Sequence, residues 1–290
     1  MYRLENDYLA ITVSTHGAEL QSLVSGGHEY LWQGDARYWK RRAPILFPIV
    51  GKLKNGEYRY RGRSYTLGQH GFARDRDFSL LEHDEGRISF RLEDDGESAE
   101  NYPFAFILDL SYTLHGDTLR VGWQVTNPAA QEDLLFSIGG HPAFALPLAE
   151  GDTFADHHIH IETAELSRLG WRDGLLDPTP HPGERHLALN YAAFANDALI
   201  YHTPTPATIR LHGKQPAPAI NVSYTDLPYL GLWTPADKEA PFICIEPWAG
   251  VMDCADYDGE LEHKLGIIRL APHSDWQRHY DIQIQRADAA

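Results

Sequence analysis

Residues 104–127 read FAFILDLSYTLHGDTLRVGWQVTN. Apolar and polar residues alternate on either side of Gly116-Asp117, the period expected of strands with one buried and one wet face. Gly116 takes positive φ without steric cost, so the pair marks the turn of a hairpin. Runs of the same character recur from end to end: YLAITV at 8–13, EYRYRGRSYTL at 57–67, RISFRLE at 87–93, LLFSIGG at 134–140, ATIRLH at 207–212, AINVSY at 219–224, FICIEPW at 242–248 and RHYDIQIQ at 278–285. They are rich in β-branched and aromatic residues and bounded by Gly, Pro, Asn and Asp. Helical signal is confined to ESAENYPF (97–104) and LNYAAFAND (189–197), each long enough for one or two turns. The expected fold is all-β, with antiparallel strands in two large sheets packed face to face as a sandwich. No Gly/Ser linker, Pro-rich spacer or fixed-period repeat divides the chain, so residues 1–290 are read as one domain.

The bulk properties narrow the partners. Hydrophobic residues at 43% and charged residues at 23% are ordinary for a folded globular chain. A net charge of −16 repels phosphate backbones and anionic lipid, which argues against nucleic-acid and membrane partners. The N-terminal MYRLENDYLAITVSTHGAEL lacks a basic stretch followed by an apolar one, so a cytoplasmic location is expected. Cys244 and Cys254 lack CxxC spacing and are read as ordinary reduced thiols.

On a sandwich, a site has to be assembled from strands distant in sequence. Three segments stand out: GQHGFARD (68–75) around His70 and Arg74, SIGGHPAFAL (137–146) around His141, and FICIEPWAG (242–250) around Glu246. In the last, the strand period puts Cys244 and Glu246 on one face and Ile243 and Ile245 on the other. Glu246 is then a carboxylate held in an apolar strand, and such a group is rarely buried without a partner. Its bland reading is an ion pair with an arginine. For any one of the 16 histidines the bland reading is a surface or structural imidazole.

Taken together, APILFPIVGKLKNGEYRYRGRSYTLGQHGFARDRDF (43–78), SIGGHPAFALPL (137–148) and FICIEPWAGVMD (242–253) resemble the aldose 1-epimerase (galactose mutarotase-like) family, and more closely its LacX-like branch. The resemblance extends to GAEL (17–20), WQGDARYW (32–39) and HKLGIIRLAP (263–272), and so to nearly the whole chain. It implies a large antiparallel β-supersandwich that interconverts the α and β anomers of a free aldose, with no cofactor and no required metal. The implied partner is a small-molecule sugar, bound by a monomer or homodimer.

By the same resemblance Glu246 matches the catalytic base, His141 the general acid and His70 a second histidine at the ring oxygen. Opening a hemiacetal needs a proton to leave the C1 hydroxyl as another reaches the ring oxygen, which a carboxylate and an imidazolium can perform. Facing each other, these charges are expected to raise the His141 pKa and lower that of Glu246. Arg74 and Arg42 match positions facing the sugar or, in the hexose-6-phosphate branch, a phosphate. Lys52, Asp197 and Trp233 are further candidates for substrate binding, against bland readings of a solvated lysine for Lys52 and a core aromatic for Trp233.

RRAPILFP (41–48) departs from the Arg-Gly-Gly pattern typical of the phosphate-using relatives, which favours a free sugar. A phosphorylated hexose, or a silent carbohydrate-binding or sensor protein on the same fold, stand as alternatives. The HHIH stretch sets His158 and His160 on one strand face, a spacing able to hold a metal if a third ligand arrives. The sequence supplies no third ligand, so an ordinary solvent-facing strand is expected there.

Overall fold

The computed structural model describes residues 1–214 and 218–286. The hairpin forms as its alternation predicts: Ile107–His115 pairs antiparallel with Thr118–Thr126, and His115↔Thr118 closes the loop at Gly116-Asp117. Gly116 has φ 58°. Leu108, Leu110 and Tyr112 on one strand and Val121, Trp123 and Val125 on the other turn inward and are buried.

This hairpin belongs to a nine-stranded sheet. The long C-terminal strand Asp275–Gln285 lies in its middle, between Thr118–Thr126 and Ala219–Tyr224. A second sheet runs in the order Leu175–Pro182, Ser167–Arg172, Leu199–His202, Tyr229–Trp233, Phe242–Ala249, Ile138–Gly140 and Ile45–Leu46, with Ala143–Ala145 paired to Phe242–Ala249. Its pairings are all antiparallel. Residues of both sheets, among them Val121, Val222 and Ile282 from the first and Leu230, Ile243 and Ile245 from the second, share one apolar core. The two segments with helical signal form short 3-10 turns, Glu97–Glu100 and Tyr191–Phe194. No helix among the described residues is long and apolar enough to cross a membrane.

The strand Phe242–Ala249 is buried on both faces. Ile243 and Ile245 enter the inter-sheet core, whereas Phe242 and Cys244 pack on the far side of the sheet with Trp32 and Ala143. Glu246 and Trp248 follow on that far side. The Trp248 indole lies flat across its two neighbouring strands, and glycine makes this possible. A Cβ on Gly139 would stand 2.4 Å from Trp248 Cδ1, and one on Gly231 would stand 2.4 Å from Trp248 Cζ2. Any side chain there would lift the indole off the sheet. Gly231→Ala is therefore expected to lower stability by about 1–3 kcal/mol through overpacking, read as a shift in the urea midpoint at unchanged m-value.

Candidate active site

His141 interrupts the strand that flanks Phe242–Ala249. Before it, Gly139 pairs with Trp248; after it, Ala143 pairs with Cys244. Three residues separate these two registered pairs on each strand, so the middle ones, His141 and Glu246, stand directly across from each other. Pro142 follows His141 and Pro247 follows Glu246. Neither can donate to the ladder, and pairing lapses where the two functional side chains meet. His141 Nε2 lies 3.3 Å from Glu246 Oε2. Both residues are buried, at 6% and 1% exposure, and neither Glu246 Oε2 nor His141 Nδ1 has a hydrogen-bond partner.

Aromatic rings hold the His141 imidazole. Trp39 stacks on it at 4.8 Å and 27°, and Trp233 meets it edge-on at 5.7 Å. His70 lies perpendicular to it at 5.6 Å. His70 owes its place to the His-Gly turn: it has φ 67° and Gly71 has φ 68°. A Cβ on Gly71 would fall 2.3 Å from the Phe47 carbonyl oxygen, so only glycine fits. Positive φ at a non-glycine residue is strained, and Gly51 holds it in place twice. The His70 N–H donates to the Gly51 carbonyl at 2.8 Å, and the Gly51 N–H donates to His70 Nδ1 at 3.0 Å. An Nδ1 that accepts leaves Nε2 as the protonated nitrogen of the neutral ring. The Gln69 side-chain amide nitrogen lies 3.2 Å from that Nε2.

Above the pair opens a cleft of about 1010 Å³ lined by Trp39, Arg41, Lys52, His70, Arg74, His141, Asp197, Trp233 and Glu246 among others. Seven of the eight residues singled out in the sequence thus converge. The exception is Arg42, whose guanidinium turns away and donates to Gln21 Oε1 at 2.7 Å. The cause is Glu19, whose carboxylate accepts from the backbone N–H groups of Arg42 and Ala43 at 2.8 and 3.0 Å. That grip fixes the segment so that its neighbour Arg41 lines the cleft, bonded to Asp75 at 2.7 Å. Arg74 donates to the Gln69 carbonyl at 2.6 Å, and its buried Nε has no hydrogen-bond partner.

Lys52 and Trp233, for which bland readings were also open, both line the cleft. Asp197 reaches it from the end of the Tyr191–Phe194 turn, with φ 99° and its carboxylate capping the Ala198 N–H at 2.8 Å. Arg41, Trp39 and Trp248 are additions. Trp248 was open to the same two-residue period that singled out Glu246, whereas nothing in the sequence ranked Arg41 above Arg42.

The electrostatics reverse the expected shifts. Burial pushes Glu246 well above the carboxylate range, with the Asp197 charge adding to it and the Trp248 indole opposing. Burial also pushes His141 down to about 3, assisted by the Arg74 and Arg41 guanidinium groups. His70 falls well below the usual imidazole value for the same leading reason, with His141 and Arg74 contributing. Burial leads both shifts, because it disfavours the charged form of each group. Both shifts therefore favour the uncharged forms, a neutral imidazole beside a protonated carboxyl, which carry one exchangeable proton between them.

The HHIH stretch lies elsewhere. His158 and His160 share a face of the nine-stranded sheet, stacked on His212 at 5.6 Å and on His186 at 4.2 Å. Among the described residues no third ligand atom converges with them. His157 is structural, its Nε2 accepting the Leu148 N–H at 3.1 Å.

Comparison with known proteins agrees with this architecture. The family model described as aldose 1-epimerase matches residues 1–263. The chain is 34% identical over 294 residues to the chromosomal protein LacX of Lactococcus lactis subsp. lactis, covering 97% of this chain and 98% of LacX. A galactose mutarotase related enzyme from Lactobacillus acidophilus superposes with a TM-score of 0.94 at 36% identity, over 99% of this chain and 97% of that one. A galactose mutarotase-like protein from Lactobacillus casei does so with a TM-score of 0.89 at 31% identity, over 98% and 100%. With sequence, fold and cleft in agreement, the chain belongs to the aldose 1-epimerase family.

Proposed function

We propose that this protein interconverts the α and β anomers of a free aldose by acid-base catalysis at the His141–Glu246 pair. The observation that carries the reading is the 3.3 Å approach of His141 Nε2 and Glu246 Oε2 at the buried end of the cleft. Glu246 takes the C1 hydroxyl proton while His141 gives one to the ring oxygen; rotation about C1–C2 and reclosure reverse both transfers. His70 offers its Nε2–H as a fixed donor at the ring. Asp197, Arg74 and Arg41 supply hydroxyl contacts, and Trp233 an apolar face.

The test is polarimetric relaxation of freshly dissolved α-anomers of glucose, galactose, xylose and arabinose, with hexose 6-phosphates in parallel. A phosphorylated hexose is the second reading, favoured by the cations Arg41, Arg74 and Lys52 around the cleft. Relaxation of the phosphates alone would establish it, and relaxation of no sugar would leave a binding protein.

Glu246→Gln cannot accept the hydroxyl proton and His141→Asn cannot donate to the ring. Each is expected to lower turnover at least ~100-fold with the fold retained, as measured by polarimetry and circular dichroism. His70→Asn is expected to be milder, since it positions and polarises.

Arg41→Ala is expected to cost about 10-fold or more in kcat/KM through loss of a charged hydrogen-bond donor. Arg42→Ala leaves kcat/KM per folded molecule within about twofold, because its guanidinium bonds to Gln21 outside the cleft. The reverse ranking would refute the reassignment from Arg42 to Arg41.

The active form holds one proton on the pair. Below the depressed His141 value a second proton enters, and above the raised Glu246 value the last one leaves. kcat/KM is therefore expected to be bell-shaped with a broad top across neutrality, its limbs belonging to the pair. In His141→Asn the alkaline fall disappears, and residual activity rises with pH as the buried Glu246 ionises. A wild-type profile that climbs without a plateau through about pH 9 would refute the pair as the proton carrier.

A further inference from the structure

The proposed reaction uses the imidazole and the carboxyl and gives their third neighbour no task. Ligand atoms of His141, Cys244 and Glu246 lie within 4.8 Å of one another, and all three residues are buried. Cys244 is there by register: it precedes Glu246 by two positions on the same strand face and pairs with Ala143, two residues past His141.

One imidazole nitrogen, one sulfur and one carboxylate oxygen make a donor set suited to zinc and to its softer congener cadmium. Ligand atoms in a tetrahedral zinc site stand about 3.3–3.6 Å apart, as bond lengths of about 2.0–2.3 Å require. The His141–Glu246 edge is already 3.3 Å, and the sulfur, within 4.8 Å of both partners, has to approach by up to about 1 Å to reach that spacing. Independently of the sulfur's position, Glu246 Oε2 is buried with no hydrogen-bond partner, which leaves its lone pairs free for a ligand. His141 and Glu246 also line the cleft, which gives an ion its entry path and leaves its fourth coordination position open.

We propose that His141, Cys244 and Glu246 form a site for one soft divalent cation, entered through the sugar cleft, whose occupation blocks the acid-base pair. Arg41 and Arg74 line the same cleft and oppose a cation; binding releases the protons of the Cys244 thiol and the Glu246 carboxyl to solvent, and the resulting thiolate and carboxylate charges offset the two guanidinium groups. The inhibitory consequence rests on the epimerase reading; the site itself does not.

Cadmium chloride titrated into the full chain, followed by thiolate-to-cadmium charge-transfer absorption in the ultraviolet, tests the site without reference to activity. The band is expected to saturate at one equivalent in the wild type and in Cys254→Ser, and to vanish in Cys244→Ala and Cys244→Ser. Glu246→Gln, which keeps the thiol, is expected to weaken binding at least about tenfold. In parallel, zinc chloride is expected to inhibit anomer relaxation, with chelation restoring it and Cys244→Ser raising the half-inhibiting concentration at least about tenfold. A band of wild-type strength in the Cys244 variants, or no saturation near one equivalent, overturns the proposal. A saturable band in a protein that relaxes no sugar overturns the epimerase reading and leaves the metal site standing.

Discussion

A carboxyl group fixed in a strand buried on both faces is the constraint around which the rest of this structure is arranged. Ile243 and Ile245 anchor the strand Phe242–Ala249 in the inter-sheet core. With a side-chain period of two, Glu246 has no choice of face. It cannot retreat to solvent, and a buried carboxyl without partners is costly. The surroundings answer that cost locally. His141 stands opposite, Pro142 and Pro247 relax the ladder at that point, and Trp248 lies on Gly139 and Gly231 to close the sheet beside it. Gly139 and Gly231 owe their identity to the Trp248 indole, which sits two positions past Glu246 on the same strand face.

The parts of this arrangement legible in the sequence are those governed by short-range periodicity. Alternation around Gly116-Asp117 predicted the hairpin and its turn, and the same period sorted Cys244 and Glu246 from Ile243 and Ile245. The convergence of His70, His141 and Glu246 was not visible in any local pattern; it came from the resemblance of long segments to a family. Two features were out of reach. Which of two adjacent arginines enters the cleft depends on Glu19 gripping the backbone at Arg42 and Ala43, a contact across more than twenty residues. The direction of the pKa shifts depends on how deeply the pair is buried. Sequence reasoning supplied the attraction between opposite charges, whereas the fold supplied the desolvation that leads the shift of each group.

That reversal changes the account of catalysis without changing the number of protons. A carboxylate facing an imidazolium and a carboxyl facing a neutral imidazole carry the same single exchangeable proton. In the proposed reaction, ring opening starts from the charged arrangement and ends in the neutral one, because Glu246 has gained a proton and His141 has lost one. The neutral arrangement is also the one burial favours in the empty cleft. Desolvation thus favours the arrangement that, in the proposed reaction, accompanies an open-chain sugar. To open a ring, the proton must first move from Glu246 to His141, across a contact of 3.3 Å. What favours that move has to come with the substrate: hydroxyl groups that hydrogen-bond the bared carboxylate stabilise its charge. Arg41 and Arg74 act the other way on His141, disfavouring its protonated form. In the proposed reaction, binding of the correct sugar and formation of the reactive charge pair are one event. On the same reading, the cleft discriminates among sugars by how well their hydroxyls hydrogen-bond the buried Glu246 carboxylate.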